Sequence, residues 1–257
     1  MNTQKVSNHI TAWLSNYCDK AGLSGFIIGI SGGVDSGLTS TLCAMTGKKT
    51  ILLSMPIRQT YAEYDRAKKH MENLESRFEN VSSLDIDLTA TFNQLSNDFP
   101  RDVSEHHLAM ANTRARIRMS TLYAIGQVND CLVAGTGNKV EDFGVGFYTK
   151  YGDGGVDISP IADLSKTEVW ELATEVGVID EIVKAKPTDG LWEDGRSDED
   201  QIGASYPELE WAMEYEGDGS LLSERKQEVL AIYKRLNTIN RHKMDPIPIC
   251  IIPADLK

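Results

Sequence analysis

The residues Ser31-Gly32-Gly33-Val34-Asp35-Ser36 directly follow the apolar run Phe26-Ile27-Ile28-Gly29-Ile30. Two adjacent glycines let the backbone turn tightly and expose its N–H groups. A helix starting near Asp35 would add the positive end of its dipole. Ser31 and Ser36 supply hydroxyl donors, and together these donors suit a pyrophosphate group. The loop carries no lysine. An aspartate beside phosphates makes chemical sense as a Mg²⁺ ligand, because a bare carboxylate would repel the anion. The competing reading is an aspartate N-cap in an ordinary strand-to-helix turn. Two glycines alone would not separate the readings, but the whole hexapeptide after an apolar strand favours the phosphate site.

A second carboxylate suited to Mg²⁺, Glu141, stands five residues after Thr136. Gly135-Thr136 ends a predicted strand at its carboxyl end, where open α/β sheets bind ligands. Lys150, Asp153 and Asp157 sit among the glycines of residues 137–160. A structureless loop of that length inside a compact chain is usually functional. In the segment NTRARIRM, residues 112–119, Arg114 and Arg118 are i,i+4 neighbours and Arg116 points away from both. The angles set Arg116 apart, toward Asn112 and Tyr123, and a solvated helix face suffices for the other two. His242 alone would read as a structural histidine; Lys243 beside it changes that reading.

These residues need a scaffold, and the hydrophobic pattern predicts one. Val6, Ile10, Trp13, Leu14, Tyr17 and Ala21 recur at helical spacing before Gly22. Strands are then expected at 26–31, 50–56, 79–86 and 130–136, alternating with helices at about 35–46, 60–75, 88–97 and 105–128. Short apolar runs between helices of this length predict an α/β fold, an open parallel sheet with helices on both faces. Ser165 and Glu168 form a capping box for a helix that stops at Gly177. Residues 178–218 read as loop, a last helix is expected at 222–236, and a proline-rich tail follows. No repeat or domain boundary is visible, so residues 1–257 are expected to form one domain.

Composition narrows the class. A net charge of -12 argues against a general nucleic-acid surface. Residues 189–218 hold 11 acidic residues and one basic one, Arg196. Such a run is either a solvated face or a loop organised around substrate and metal; Leu191 and Trp192 inside it make it less plain than a solvating tail. Cys18, Cys43, Cys131 and Cys250 are scattered without a CxxC pair, which fits a reducing compartment. The first twenty residues lack the features of a signal peptide, and no apolar run reaches the roughly 18 residues of a membrane helix. A soluble cytoplasmic protein is expected.

SGGVDS resembles the phosphate loop of the N-type ATP pyrophosphatases, which cleave ATP to AMP and pyrophosphate. The stretch VAGTGNKVEDFGVGFYTKYGDGGVDISPIADLSK, residues 133–166, resembles the ammonia-dependent NAD synthetases within that superfamily. The similarity continues at KPTDGLWEDGRSDEDQIG, 186–203, and at HKM, 242–244, so it spans nearly the whole chain. It implies an adenine nucleotide α-hydrolase-like, Rossmann-like three-layer fold. It implies a ligase, acting at the final step of NAD biosynthesis, that converts deamido-NAD, ATP and ammonia to NAD, AMP and pyrophosphate through an NAD-adenylate. ATP would be a co-substrate held by Gly29, Ile30, Ser31, Gly32, Gly33, Val34, Asp35, Ser36, Thr136, Lys166 and Thr188. Deamido-NAD would meet Arg116, Lys150, Asp157, His242 and Lys243, and Mg²⁺ would sit on Asp35 and Glu141. Lys166 would stabilise charge on the phosphates, and Asp153 would accept a proton from ammonia.

The glutamine-dependent synthetases carry a further amidase domain, for which 257 residues leave no room, so free ammonia is the expected nitrogen source. The resemblance also implies a homodimer, and residues 189–205 with Trp192 are expected to order over the site as a lid. Asp189 stands where the family often carries alanine, and Arg196 interrupts the acidic run. The rival readings are another ATP pyrophosphatase, such as a GMP synthetase core or a tRNA-modifying enzyme, and a nucleotide sensor without turnover. The acidic balance disfavours tRNA, residues 144–157 favour deamido-NAD, and two metal carboxylates disfavour a sensor.

Overall fold

The computed structural model describes residues 1–187 and 197–257. The apolar runs form β1 (Gly25–Gly29), β2 (Lys49–Ser54), β3 (Val81–Asp85) and β4 (Cys131–Val133), one parallel sheet in the order β3-β2-β1-β4. β1 is central, with Ile27 in register with Ile51 of β2 and Val133 of β4. Chain order reverses between β1 and β4, and the carboxyl ends of those two strands mark the switch point where such sheets bind ligands.

Side chains alternate across a strand, so β1 buries both faces. Phe26 and Ile28 pack with α1 (Thr3–Ala21), α2 (Val34–Met45) and α3 (Tyr61–Arg77). Ile27 faces the other way, toward Phe92 of α4 (Thr89–Asp98) and Met110 of α6 (His107–Val128), which follows the short α5 (Arg101–Ser104). Phe26, Ile27 and Ile28 have no exposed surface, and burying each contributes about 1.5–3 kcal/mol. The first face is completed by α7 (Lys166–Glu175), whose capping box of Ser165 and Glu168 is present as expected.

Three expectations change. Residues 139–145 are not loop but a π-helical turn, started by the Asn138 side chain and closed by Gly146 at φ 64°. The loop-rich segment contains α8 (Asp180–Val183), α9 (Asp198–Ile202) and α10 (Tyr206–Glu214), with capping boxes at Ser197/Asp200 and Ser205/Glu208. The last helix, α11 (Glu224–Met244), outruns its expected end because Asn237 and Asn240 donate to the carbonyls of Gly144 and Val145. α10, α11 and the π-turn share a third apolar core around Tyr206 and Leu209. His242 and Lys243 therefore lie in a helix and not in the tail.

Candidate active site

A cavity of about 590 Å³ opens at the carboxyl ends of β1 and β4. Its floor is the loop from Gly29 to Ser36. Gly32 has φ 86°, and a Cβ there would meet the Glu63 carbonyl oxygen at 2.6 Å, so only glycine fits. Ser36 Oγ lies 3.0 Å from Ser31 Oγ and donates to the Gly33 carbonyl, which locks the turn. Gly33 is the N-cap of α2 and has no side chain to cap it. Val34, Asp35 and Ser36 line the cavity, and their first-turn N–H groups have no partner within the helix, an arrangement that suits an anion. Arg66 lies over this loop, donating to the Gly32 carbonyl at 3.3 Å, and Gln59 donates to Ser31 O.

Asp35 and Glu141 meet on one cation. Lys166 Nζ lies 2.6 Å from Asp35 Oδ2 and 2.9 Å from Glu141 Oε1. Lys166 is buried, and the two carboxylates raise its pKa further although burial opposes this, so it stays charged. Burial raises Asp35, an effect that Lys166 offsets only in part. Burial also raises Glu141, but the Lys166 ammonium and the Tyr206 hydroxyl reverse this and hold it below its usual range. Asn138 is fully buried and ties the pair together. Its Oδ1 accepts from the N–H groups of Val140 and Glu141, and its Nδ2 donates to Asp35 at 3.0 Å.

The donor set fits magnesium. Two hard carboxylates converge where a cation already sits, and among the described residues no cluster of three or more acidic, histidine or cysteine ligands occurs. Mg²⁺ takes one or two carboxylates and completes its shell with water and substrate phosphates.

The sequence model of the NAD synthase family matches residues 6–246. The chain belongs to this family. The NH(3)-dependent NAD(+) synthetase of Methanosarcina acetivorans is 34% identical over 258 residues, 96% of this chain and 99% of that protein. The NH(3)-dependent NAD(+) synthetase of Archaeoglobus fulgidus is 35% identical, over 97% of each. Among solved structures, an NMN synthetase from Francisella tularensis superposes with a TM-score of 0.84 at 29% identity, covering 99% of both chains. The NH3-dependent NAD synthetase from Campylobacter jejuni has a TM-score of 0.80 at 24% identity, covering 98% of this chain and 100% of that one, a likeness of fold.

In this NAD synthase family chain the remaining expected residues fall into two sets. Thr136, Asp153 and Lys243 line the cavity. Asp153 accepts from the Thr149 N–H at 3.0 Å, and the enclosing protein raises its carboxyl above its usual range. Lys243 donates to the carbonyls of Gly146 and Tyr148, both at 2.8 Å. The others stand off the cavity. Arg116 donates to the Lys150 carbonyl, Lys150 to the His242 carbonyl, and His242 Nδ1 lies 3.0 Å from Ile239 O, so these residues make one basic rim. Asp157 takes the Tyr123 hydroxyl at 3.0 Å and the Val133 N–H at 2.8 Å, which braces the end of β4. Thr188, Asp189, Trp192 and Arg196 lie outside the described residues.

The arginine expectation is corrected. Arg118, read as solvated, lines the cavity and donates to the Met55 carbonyl at 3.0 Å. Burial, with Arg114 adding to the effect, lowers it to about 10. Arg114 is not simply solvated either, since its guanidinium stands 5.7 Å from the Phe92 ring. Arg116 is exposed. Sequence reasoning also passed over Tyr206 and Asn138; the signal for Asn138 was an N-cap residue directly after the strand-ending Gly135-Thr136-Gly137.

Proposed function

We propose that this chain is an ammonia-dependent NAD synthetase, a single catalytic unit that uses ATP as co-substrate to convert deamido-NAD and ammonia to NAD, AMP and pyrophosphate. The observation that carries the reading is the juxtaposition of Asp35 and Glu141 beside a glycine-built anion cradle, in a chain of the NAD synthase family.

The first step joins the nicotinate carboxylate oxygen of deamido-NAD to the α-phosphorus of ATP and breaks the bond to pyrophosphate. The leaving pyrophosphate gathers charge against the α2 N-terminus, Ser31 and Ser36, where fixed donors need no reorganisation. Asp35 and Glu141 would hold Mg²⁺, which would neutralise phosphate charge when bound. Lys166 adds a permanent cation between the two carboxylates. In the second step ammonia attacks the activated carbonyl, the C–O bond to AMP breaks, and Asp153 takes the proton that the new amide nitrogen loses. Arg116 and Lys150 on the rim, with His242 beside them, and Lys243 on the cavity wall supply positive charge that suits the anionic dinucleotide in an otherwise acidic protein. Water must be kept from the adenylate; residues 189–196 of the expected lid lie outside the described residues.

We also propose a homodimer in the cytoplasm. The family resemblance is what supports the dimer; Leu108 and Val128 are exposed at the two ends of α6. No helix among the described residues is long and apolar enough to cross a membrane.

A second reading concerns the acid. The likeness to an NMN synthetase favours testing nicotinate mononucleotide as well. The experiment is incubation with ATP, Mg²⁺, ammonium and either acid, each labelled with ¹⁸O in its carboxylate. NAD, AMP and pyrophosphate in equal amounts, with label in AMP, are expected from deamido-NAD. Preference for the mononucleotide would reassign the acid; ADP and orthophosphate would overturn the reading.

A further inference from the structure

Tyr206 has a polar atom in the site although it does not line the cavity. It is the first residue of α10 and has no exposed surface. Its hydroxyl donates to Glu141 Oε1 at 2.6 Å, the same oxygen that takes Lys166 Nζ. Its ring lies beneath that ammonium, 4.8 Å from the centroid, and Trp170 meets the ring edge-on. Two donors on one carboxylate oxygen fix the plane of the group. Glu141 lines the cavity, so the carboxylate held at Oε1, with the Asn138 side chain also bonded to the group, faces the space where an outside ligand would sit.

Tyr206 also carries the α9 segment. Its backbone N–H donates to Glu199 Oε1 at 2.9 Å, and its hydroxyl oxygen lies 3.4 Å from Asp198 Oδ2. One aromatic residue therefore touches the π-turn through Glu141, α7 through Lys166 and Trp170, and α9 through Asp198 and Glu199. A core tyrosine needs only a ring; this one spends its hydroxyl on a carboxylate of the site.

We propose that Tyr206 is a positioning residue for the cation site, holding Glu141 by Oε1 so that its carboxylate is presented at a fixed angle to magnesium–ATP. The inference rests on the magnesium reading of Asp35 and Glu141. Tyr206 touches neither substrate nor phosphate and acts through Glu141.

The test is Tyr206→Phe, which keeps the ring, its volume and its face toward Lys166 and removes only the hydroxyl. A non-cleavable ATP analogue is titrated by calorimetry, with MgCl₂ and with EDTA, and turnover is measured beside it. A hydrogen bond to a charged group is worth enough that the magnesium-dependent affinity should fall about tenfold. The affinity in EDTA should stay unchanged. kcat should fall while the KM for deamido-NAD does not move. Tyr206→Leu, which also removes the ring, reports packing by its loss of thermal stability, a loss Tyr206→Phe should largely avoid. Equal changes with and without magnesium, or wild-type affinities in Tyr206→Phe, overturn the inference alone. A wild type indifferent to magnesium overturns the magnesium reading and the inference with it.

Discussion

Asn138 Nδ2 donates to Asp35 Oδ1 at 3.0 Å, joining residues 103 apart in the chain. The same side chain accepts from two N–H groups of the π-turn that carries Glu141. One amide thus sets the spacing of both candidate metal carboxylates, and it works because an amide both accepts and donates.

Asn138→Ala should remove the turn's cap and leave Asp35 short of a donor. Unmade bonds of this kind cost about 1–3 kcal/mol each. The expected outcome is a lower unfolding midpoint together with slower magnesium-dependent pyrophosphate release. A variant as stable and as active as wild type would remove Asn138 from the site.

Lys166→Met should leave two facing carboxylates without their cation. Breaking a buried pair costs about 3–5 kcal/mol, and the side chains of Asp35 and Glu141 are 17% and 16% exposed, so the lower end is expected. Without the ammonium both carboxyls rise, and the folded state then binds more protons than the unfolded chain. Stability therefore falls as pH rises, and the deficit against wild type should be smaller at about pH 5 than at about pH 8. Added MgCl₂ should raise the unfolding midpoint of the variant more than that of wild type. Equal shifts would show that the metal does not take this position.

The alternation of short apolar runs with helical spacing made the sheet legible, because a run such as Phe26 to Ile30 has little competing reading. The site was half legible for a physical reason. A glycine turn advertises itself by residue type, but the facing of a helix depends on where the sheet lies. Angles alone separated Arg116 from Arg114 and Arg118 and did not tell which turns inward; Arg118 does. α10 was concealed by its acidic content, although Ser205 and Glu208 carry the same signal as Ser165 and Glu168. Glu210 in that run is not solvating either, since it accepts the Thr167 N–H and hydroxyl at the start of α7. The last turns of α11 rest on Asn237 and Asn240, poor helix formers kept in place by bonds to the π-turn.

Asp142 gives a pH prediction. Burial, with Glu141 and Asp153 adding to it, lifts its carboxyl from the ordinary 3.8 to about 8. A raised folded value means that the contribution is complete below the unfolded value and is lost as pH rises through the folded one. Between those limits the metal-free wild type should lose on the order of 1 kcal/mol per pH unit from this group. Asp142→Asn lacks the titration, so its stability relative to wild type should climb over that window and level off above it. Denaturant midpoints across the range check this, and parallel profiles would contradict it.

Lys243 separates charge from tethering at the rim. Its ammonium donates to Gly146 O and Tyr148 O and stands 5.4 Å from the Tyr148 ring, so it both holds the loop and lends a positive charge to the cavity wall. Lys243→Ala removes both and should raise the KM for deamido-NAD about tenfold, the scale of one charge-assisted contact. The KM for ATP, which we propose binds over β1, should stay nearly unchanged. Lys243→Gln keeps a donor for the carbonyls and loses the charge. If the dinucleotide reads the charge, Lys243→Gln should resemble Lys243→Ala, and added salt should narrow the gap between wild type and both variants by screening the attraction. If Lys243→Gln keeps wild-type KM values, the residue serves the loop. A rise confined to the KM for ATP would move Lys243 out of the acid's site altogether.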